Sequence, residues 1–160
     1  MDRLNKIINN SLWNAAISDI ESYEEKRVFC RHGREHLMDV ARLMYIENLE
    51  DNLGIDKEII YATAFTHDIG RSPKYSKGLD HEEAGATLCE EILKACDFYE
   101  EEIRKIKDAI LAHRNSETKS DKGLKGVLYR ADKKSRMCLF CHVKNQCKWD
   151  EEKMNLKVDI

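Results

Sequence analysis

A single proline and only seven glycines in 160 residues leave little material for the turns that a strand-rich fold needs. Nor does any stretch alternate apolar and polar residues as a half-buried strand would. Charge of one sign is also missing. The 27 lysines and arginines nearly balance the 30 aspartates and glutamates and are interspersed with them, which argues against a nucleic-acid groove or a polybasic membrane surface. No apolar run approaches the roughly 20 residues of a membrane span, and Met1-Asp2-Arg3-Leu4 does not open like a signal peptide. The expectation is a cytoplasmic protein whose partners are small molecules, not membranes or nucleic-acid polymers. Six cysteines in such a reducing compartment are expected to be core residues, metal ligands or redox groups, not disulfides.

What is abundant is Glu, Lys, Leu, Ala and Ile, a composition that favours helices. The expected architecture is all-α: one domain over residues 1–160, a helical bundle of about six to seven helices, long enough to bury roughly two thirds of its unfolded surface. N-terminal helices occupy residues 1–30, a core 34–136, and an irregular cysteine-containing tail 137–160. Ile8, Leu12, Ala16, Ile20 and Tyr23 recur at helical spacing. A long helix from Arg34 to about Asn52 puts Leu37, Val40, Ala41, Met44 and Leu49 on one face, with Gly54 as its stop. Asp56 can cap the next helix, Lys57 to about Asp68, whose Ile59–Phe65 run has almost no polar face and so belongs in the middle of the domain. The segment from Gly70 to Leu79 holds the only proline and reads as a surface loop. Asp80 can cap a helix with Ala84, Leu88, Ile92 and Cys96 as its stripe, Gly85 and Cys89 beside it, and Cys89 and Cys96 as core cysteines. Ile103, Ile106 and Ile110 lead onto His113, and after a polar loop Leu124, Leu128 and Asp132 share one face of a last helix.

Several polar side chains thus fall where core residues belong. His67 and Asp68 end an apolar helix, and buried ionisable groups cost several kcal/mol unless paired or bound to metal. His36, His81, His113 and Asp132 also tend inward. A lone buried histidine is usually a satisfied structural residue, but six such groups at corresponding ends of successive helices would each need a separate buried partner. Imidazoles and carboxylates gathered in this way could hold metal. This ligation suits transition metals such as iron or manganese better than magnesium alone.

His67-Asp68-Ile69-Gly70, together with His36 followed by Val40-Ala41 and Tyr129-Arg130-Ala131-Asp132-Lys133, resembles the HD-domain metal-dependent phosphohydrolases over about His36 to Lys133. His81 in His81-Glu82-Glu83-Ala84-Gly85-Ala86 and His113 in Ala109-Ile110-Leu111-Ala112-His113 are similar to the two further histidines of the binuclear branch, as in the bacterial symmetrical diadenosine tetraphosphate hydrolases. The resemblance implies a first metal on His36, His67, Asp68 and Asp132, and a second on Asp68, His81 and His113, with Asp68 bridging. It also implies two divalent or mixed-valent transition metal ions, iron before manganese, and a metal-bound hydroxide that attacks a small phosphate ester or nucleotide. Arg71 is expected to clamp phosphate, and Lys133 to assist beside Asp132. Lys74, Lys77 and Arg114 are rim cations, and His32 lies behind or outside the ligand set. Two rival readings use the same ligands: a mixed-valent di-iron oxygenase, and a nucleotide-binding protein without turnover.

Cys138, Cys141 and Cys147 form a C-x2-C-x5-C pattern outside the general HD pattern. Cys30 and His142 are the candidate fourth ligands. Cys30 is preferred, because it lies six residues before His36 while Cys138 lies six after Asp132. If the two helices run antiparallel, both cysteines travel roughly 9 Å the same way from the first metal. Zinc or an iron–sulfur cluster would suit such a set.

Overall fold

In the computed structural model, which describes residues 1–158, the chain folds into α1 (Asp2–Asn9), α2 (Ser11–Tyr23), α3 (Arg34–Glu50), α4 (Lys57–Thr66), α5 (Arg71–Lys77), α6 (His81–Ala95), α7 (Glu100–Ala112) and α8 (Leu124–Lys134), with three short 3-10 turns after α7. No strand occurs among the described residues, and the all-helical expectation holds. Asp159 and Ile160, the end of the expected tail, lie outside the described residues.

Helix α4 is the axis. Asp56 caps it, accepting from the amides of Glu58 and Ile59, and seven of its residues, Ile59, Ile60 and Ala62 to Thr66, are buried. The two buried threonines return their hydroxyls to the carbonyls of Ile59 and Ala62, each at 2.7 Å, so neither carries an unmet donor into the core. Trp13 of α2 stacks on Phe65 and donates its indole N–H to the Phe65 carbonyl at 2.7 Å, satisfying one of the acceptors that a helix end leaves open. Arg3 of α1 ties the other end, pairing with Glu58 and with Glu102 of α7.

Helices α3 and α8 pack against each other. Arg130, inside α8, pairs with Glu47 near the end of α3, while His36 at the start of α3 meets Asp132 near the end of α8.

Four details depart from the sequence reading. Asn10, extended between α1 and α2, caps α2 through its side chain and resets the helical phase, so Leu4, Ile7, Trp13, Ala16, Ile17 and Ile20 are buried while Ile8, Leu12 and Tyr23 are exposed. Leu49 is 56 % exposed; its neighbour Asn48 is buried instead, exchanging hydrogen bonds with both the amide and the carbonyl of Ile55 to brace the turn into α4. The expected loop after Gly70 contains α5. Its proline, Pro73, sits in the first turn, where a missing N–H is tolerated, and Gly78 ends it at φ 70°. The buried stripe of α6 runs through His81, Gly85, Cys89 and Ile92, with Ala84 and Leu88 at its edge.

Candidate metal centre

The end of α4 is where the fold collects its buried polar groups. His67 terminates the helix, and its Nδ1 lies 2.7 Å from the Ala64 carbonyl. A carbonyl can only accept, so Nδ1 carries the proton and the Nε2 lone pair is left free. His113, at the end of α7, does the same with the Ile110 carbonyl at 2.5 Å. His36 points its Nδ1 at Ser135 Oγ, 3.2 Å away, while that hydroxyl donates to the Asp132 carbonyl at 2.8 Å. Backbone and hydroxyl contacts therefore orient three of the four imidazoles with Nε2 inward, the arrangement seen behind metal-bound histidines.

These side chains form two groups. His36, His67 and Asp132 offer atoms all within 4.8 Å of one another, and so do Asp68, His81 and His113; all six residues are buried. Asp68 stands between them. Its Oδ2 is 3.6 Å from His36 Nε2 and 3.4 Å from His67 Nε2, while its Oδ1 is 3.8 Å from His113 Nε2. Gly70 makes this meeting possible: a Cβ there would lie 1.9 Å from the His81 carbonyl and 2.5 Å from the Gly85 amide, so the absent side chain lets the end of α4 press against the start of α6.

Burial lowers the pKa of His67 to about 3 and that of His81 to about 4, which keeps both imidazoles neutral near pH 7. Burial acts the same way on His36, but the carboxylates of Asp132 and Asp68, 3.4 and 3.6 Å from its Nε2, outweigh it and its pKa rises. Burial disfavours both carboxylates. Arg71 and the surrounding imidazoles nevertheless hold Asp68 well below the usual range, and His36, Arg136 and Lys133 do so for Asp132.

The donor set fits metal ions. His36 Nε2, His67 Nε2, His81 Nε2 and both oxygens of Asp68 are buried without a hydrogen-bond partner in the protein. Buried polar atoms are rarely left so, and five converging on one centre are explained if ions are the missing partners.

Residues 33–137 match the model of the HD domain. The chain belongs to the HD-domain family. It is also 42 % identical over 158 residues, 99 % of each chain, to an uncharacterized protein of Clostridium beijerinckii. No solved structure matches. HD-domain proteins are generally hydrolases and typically bind divalent metals, which accords with the donor set just described.

Around the HD centre the cations divide. Arg71, expected at the rim, is folded inward, its Nε 2.8 Å from Asp68 Oδ1 without the alignment of a hydrogen bond. Its place at the first position of α5 turns the side chain back over the end of α4. Lys133 lies 2.6 Å from Asp132 Oδ2 and over the Tyr129 ring. Lys74, Lys77 and Arg114 are exposed. His32 is buried outside both groups, its ring edge-on to His36 and its Nδ1 2.7 Å from Glu24.

Three neighbours escaped the sequence reading. Arg136, buried, pairs with Asp132 Oδ1 at 2.6 Å, and Ser135 links His36 to Asp132. Both follow Asp132 at helical spacings of three and four, a signal available in the sequence. Glu24, also buried, accepts from His32 and from the Tyr75 hydroxyl at 2.5 Å, and nothing in the charged run Glu21–Arg27 singles it out. Of the cysteines, Cys89 and Cys96 are in the core, Cys30 is exposed, Cys138 is buried, and Cys141 and Cys147 are half-buried. Among the described residues no cysteine joins a group of three donors at the spacing of the His/Asp groups.

Proposed function

We propose that this protein is a phosphohydrolase of the binuclear HD branch, acting on a small phosphate ester or nucleotide with two transition metal ions, iron or manganese, shared through Asp68. The observation that carries the reading is the placement of the two Asp68 oxygens toward different donor groups, with five buried, partnerless donor atoms around them. His36, His67 and Asp132 would hold one ion, and His81 and His113 the other. Bound there, the ions would supply Lewis acidity and an acidified water for attack on phosphorus.

The chain's own groups have separable duties. Arg71 and Lys133 place fixed positive charge beside Asp68 and Asp132, where phosphoryl oxygens would arrive, and the planar guanidinium of Arg71 suits paired oxygens. A cavity of about 620 Å³ opens beside His36 at the N-terminus of α3, its lining mixing Arg31, Arg34 and Arg136 with the carboxylates of Glu21, Glu35 and Asp39. Its volume suits a small ligand.

The test is protein purified without air, loaded with Fe(II) or Mn(II), and assayed for inorganic phosphate against phosphomonoesters, nucleotides and dinucleoside polyphosphates. Metal-dependent phosphate release that disappears in Asp68→Ala is expected. Substrate-dependent oxygen uptake without phosphate release, or nucleotide binding without product, would overturn the reading.

A further inference from the structure

We infer that Cys30, Cys138, Cys141 and Cys147 form a second metal site, a tetrathiolate centre for one zinc ion that fastens the C-terminal segment to the start of α3. The argument begins with what else holds that segment. Among the described residues from 137 onward it forms no α-helix, only the 3-10 turns Cys138–Phe140 and Lys144–Gln146. Half of its large apolar side chains face outward, Met137 at 64 % exposed, Phe140 at 66 % and Val158 at 80 % among them, while Val143, Trp149, Met154 and Leu156 are half-buried. Ordering a chain costs roughly 1–2 kcal/mol per residue in backbone entropy, and so little burial leaves most of that cost unmet. Asn155 supplies one fastening, its Nδ2 reaching the carbonyls of Lys133, Lys134 and Arg136 at 2.8, 3.1 and 2.8 Å. A metal would supply the other.

The local geometry is that of metal-binding turns. Cys138 and Cys141 bracket a turn closed by the Cys141 amide donating to the Cys138 carbonyl at 3.1 Å, so both thiols belong to one bend of backbone. Cys147 ends the second turn, whose amide–carbonyl bond from Cys147 to Lys144 is 3.0 Å. Two residues on, the Trp149 amide donates to Cys147 Sγ at 3.5 Å. The fourth ligand comes from across the molecule. Helices α3 and α8 bring His36 against Asp132. Cys30, on the chain entering α3, lines one cavity with His36, Arg136 and Met137, the residue before Cys138. His142, the other candidate, is next to Cys141 in the segment itself, so only Cys30 would fasten that segment to the start of α3. Arg136, paired with Asp132, lines the same cavity as Cys30 and can offset negative charge there.

Four thiolates and no carboxylate select a soft, tetrahedral ion, and zinc needs no redox partner. The sulfurs are not yet gathered to ligand spacing among the described residues, so binding would draw the turns together, as in small domains whose metal site closes only on the ion.

Cobalt(II) substitution tests this independently of the His/Asp centre, because thiolate–cobalt charge transfer in the near ultraviolet does not arise from imidazole or carboxylate ligands. The full chain loaded with Co(II) is expected to show that band. The double variant Cys138→Ser, Cys141→Ser should lose it together with one equivalent of metal, and Cys30→Ser should lose the four-sulfur intensity. His67→Ala should keep the band. Should the cysteine variants fail to fold, alkylation of the wild-type chain read by mass spectrometry decides: Cys30, Cys138, Cys141 and Cys147 should be shielded with zinc and modified after its removal. No band in wild type, a band that survives the double variant, equal alkylation with and without zinc, or acid-labile sulfide from a cluster would each overturn the inference.

Discussion

The His/Asp centre and the cysteine segment both collect side chains that bind metals, yet the fold prepares them to different degrees. The His/Asp donors sit on or at the ends of α3, α4, α6, α7 and α8, and core packing gathers them before any ion arrives. The cysteines sit on short turns outside the core, with one partner reaching over from the approach to α3. The first centre should therefore survive metal removal as a shape, whereas the second should not. A reaction needs preformed geometry; a fastening needs only the strength of the closed site.

The largest break in this contrast is expected from Asp68→Ala. It removes the one carboxylate directed at both donor groups, so phosphate release should fall by more than the roughly 100-fold that the loss of a supporting partner can cost a metal site. Metal analysis should find the His/Asp centre depleted and the thiolate site full. Loss of thiolate-bound metal as well would mean that the two regions are not separate.

Next comes Gly70→Ala. The new methyl would collide with the backbone of His81 and Gly85, which cannot yield as a flexible side chain can. A destabilisation of about 3 kcal/mol, the upper end for overpacking, is expected in denaturant melts. The displaced α6 should weaken metal retention at Asp68, His81 and His113 more than at the other group.

Acid probes the packing behind the centre. Burial raises the Glu24 pKa, but hydrogen bonds from His32 and Tyr75 outweigh it and hold the carboxyl at about 2, against an ordinary 4.5. A carboxylate with a depressed folded-state pKa stabilises the fold above its unfolded value, and that stability is lost as the pH falls from about 4.5 to about 2. His32 is depressed as well, chiefly by burial, so it too favours the neutral fold over the acid one. Thermal midpoints measured across this window should drop steeply in wild type and less in Glu24→Gln.

Most of the centre was legible because helical spacing alone turns His36, His113 and Asp132 inward, and because a His-Asp pair ending an apolar run demands partners. Legibility failed where a contact depends on which elements meet. Glu24 reaches His32 and Tyr75 through the packing of α2 against α5, and no spacing within Glu21–Arg27 encodes that. The proline at residue 73 suggested a loop because the rule against internal prolines does not extend to a first turn. The cysteine spacing was plain, but a turn held by so little burial does not bring its thiols together unaided.

A smaller effect sharpens the comparison from the tail side. Asn155→Ala removes one carboxamide that reaches three carbonyls at the end of α8, and a net cost of about 1 kcal/mol per neutral hydrogen bond applies. Hydrogen exchange should rise from residue 137 onward and remain unchanged in α4.

The subtlest change is Ser135→Ala. Its hydroxyl touches only the His36, His67 and Asp132 group, where it accepts from His36 Nδ1 and donates to the Asp132 carbonyl. Removing it leaves every proposed ligand in place but frees the His36 ring to turn. Losing an orienting partner of this kind costs roughly tenfold in metal affinity at the mild end. Competitive metal titration should therefore show one of the two His/Asp ions bound about tenfold more weakly and the other unchanged. If both weakened equally, Ser135 would be acting through the packing of α3 on α8 and not through His36; if neither did, the imidazole would be held by its neighbours alone.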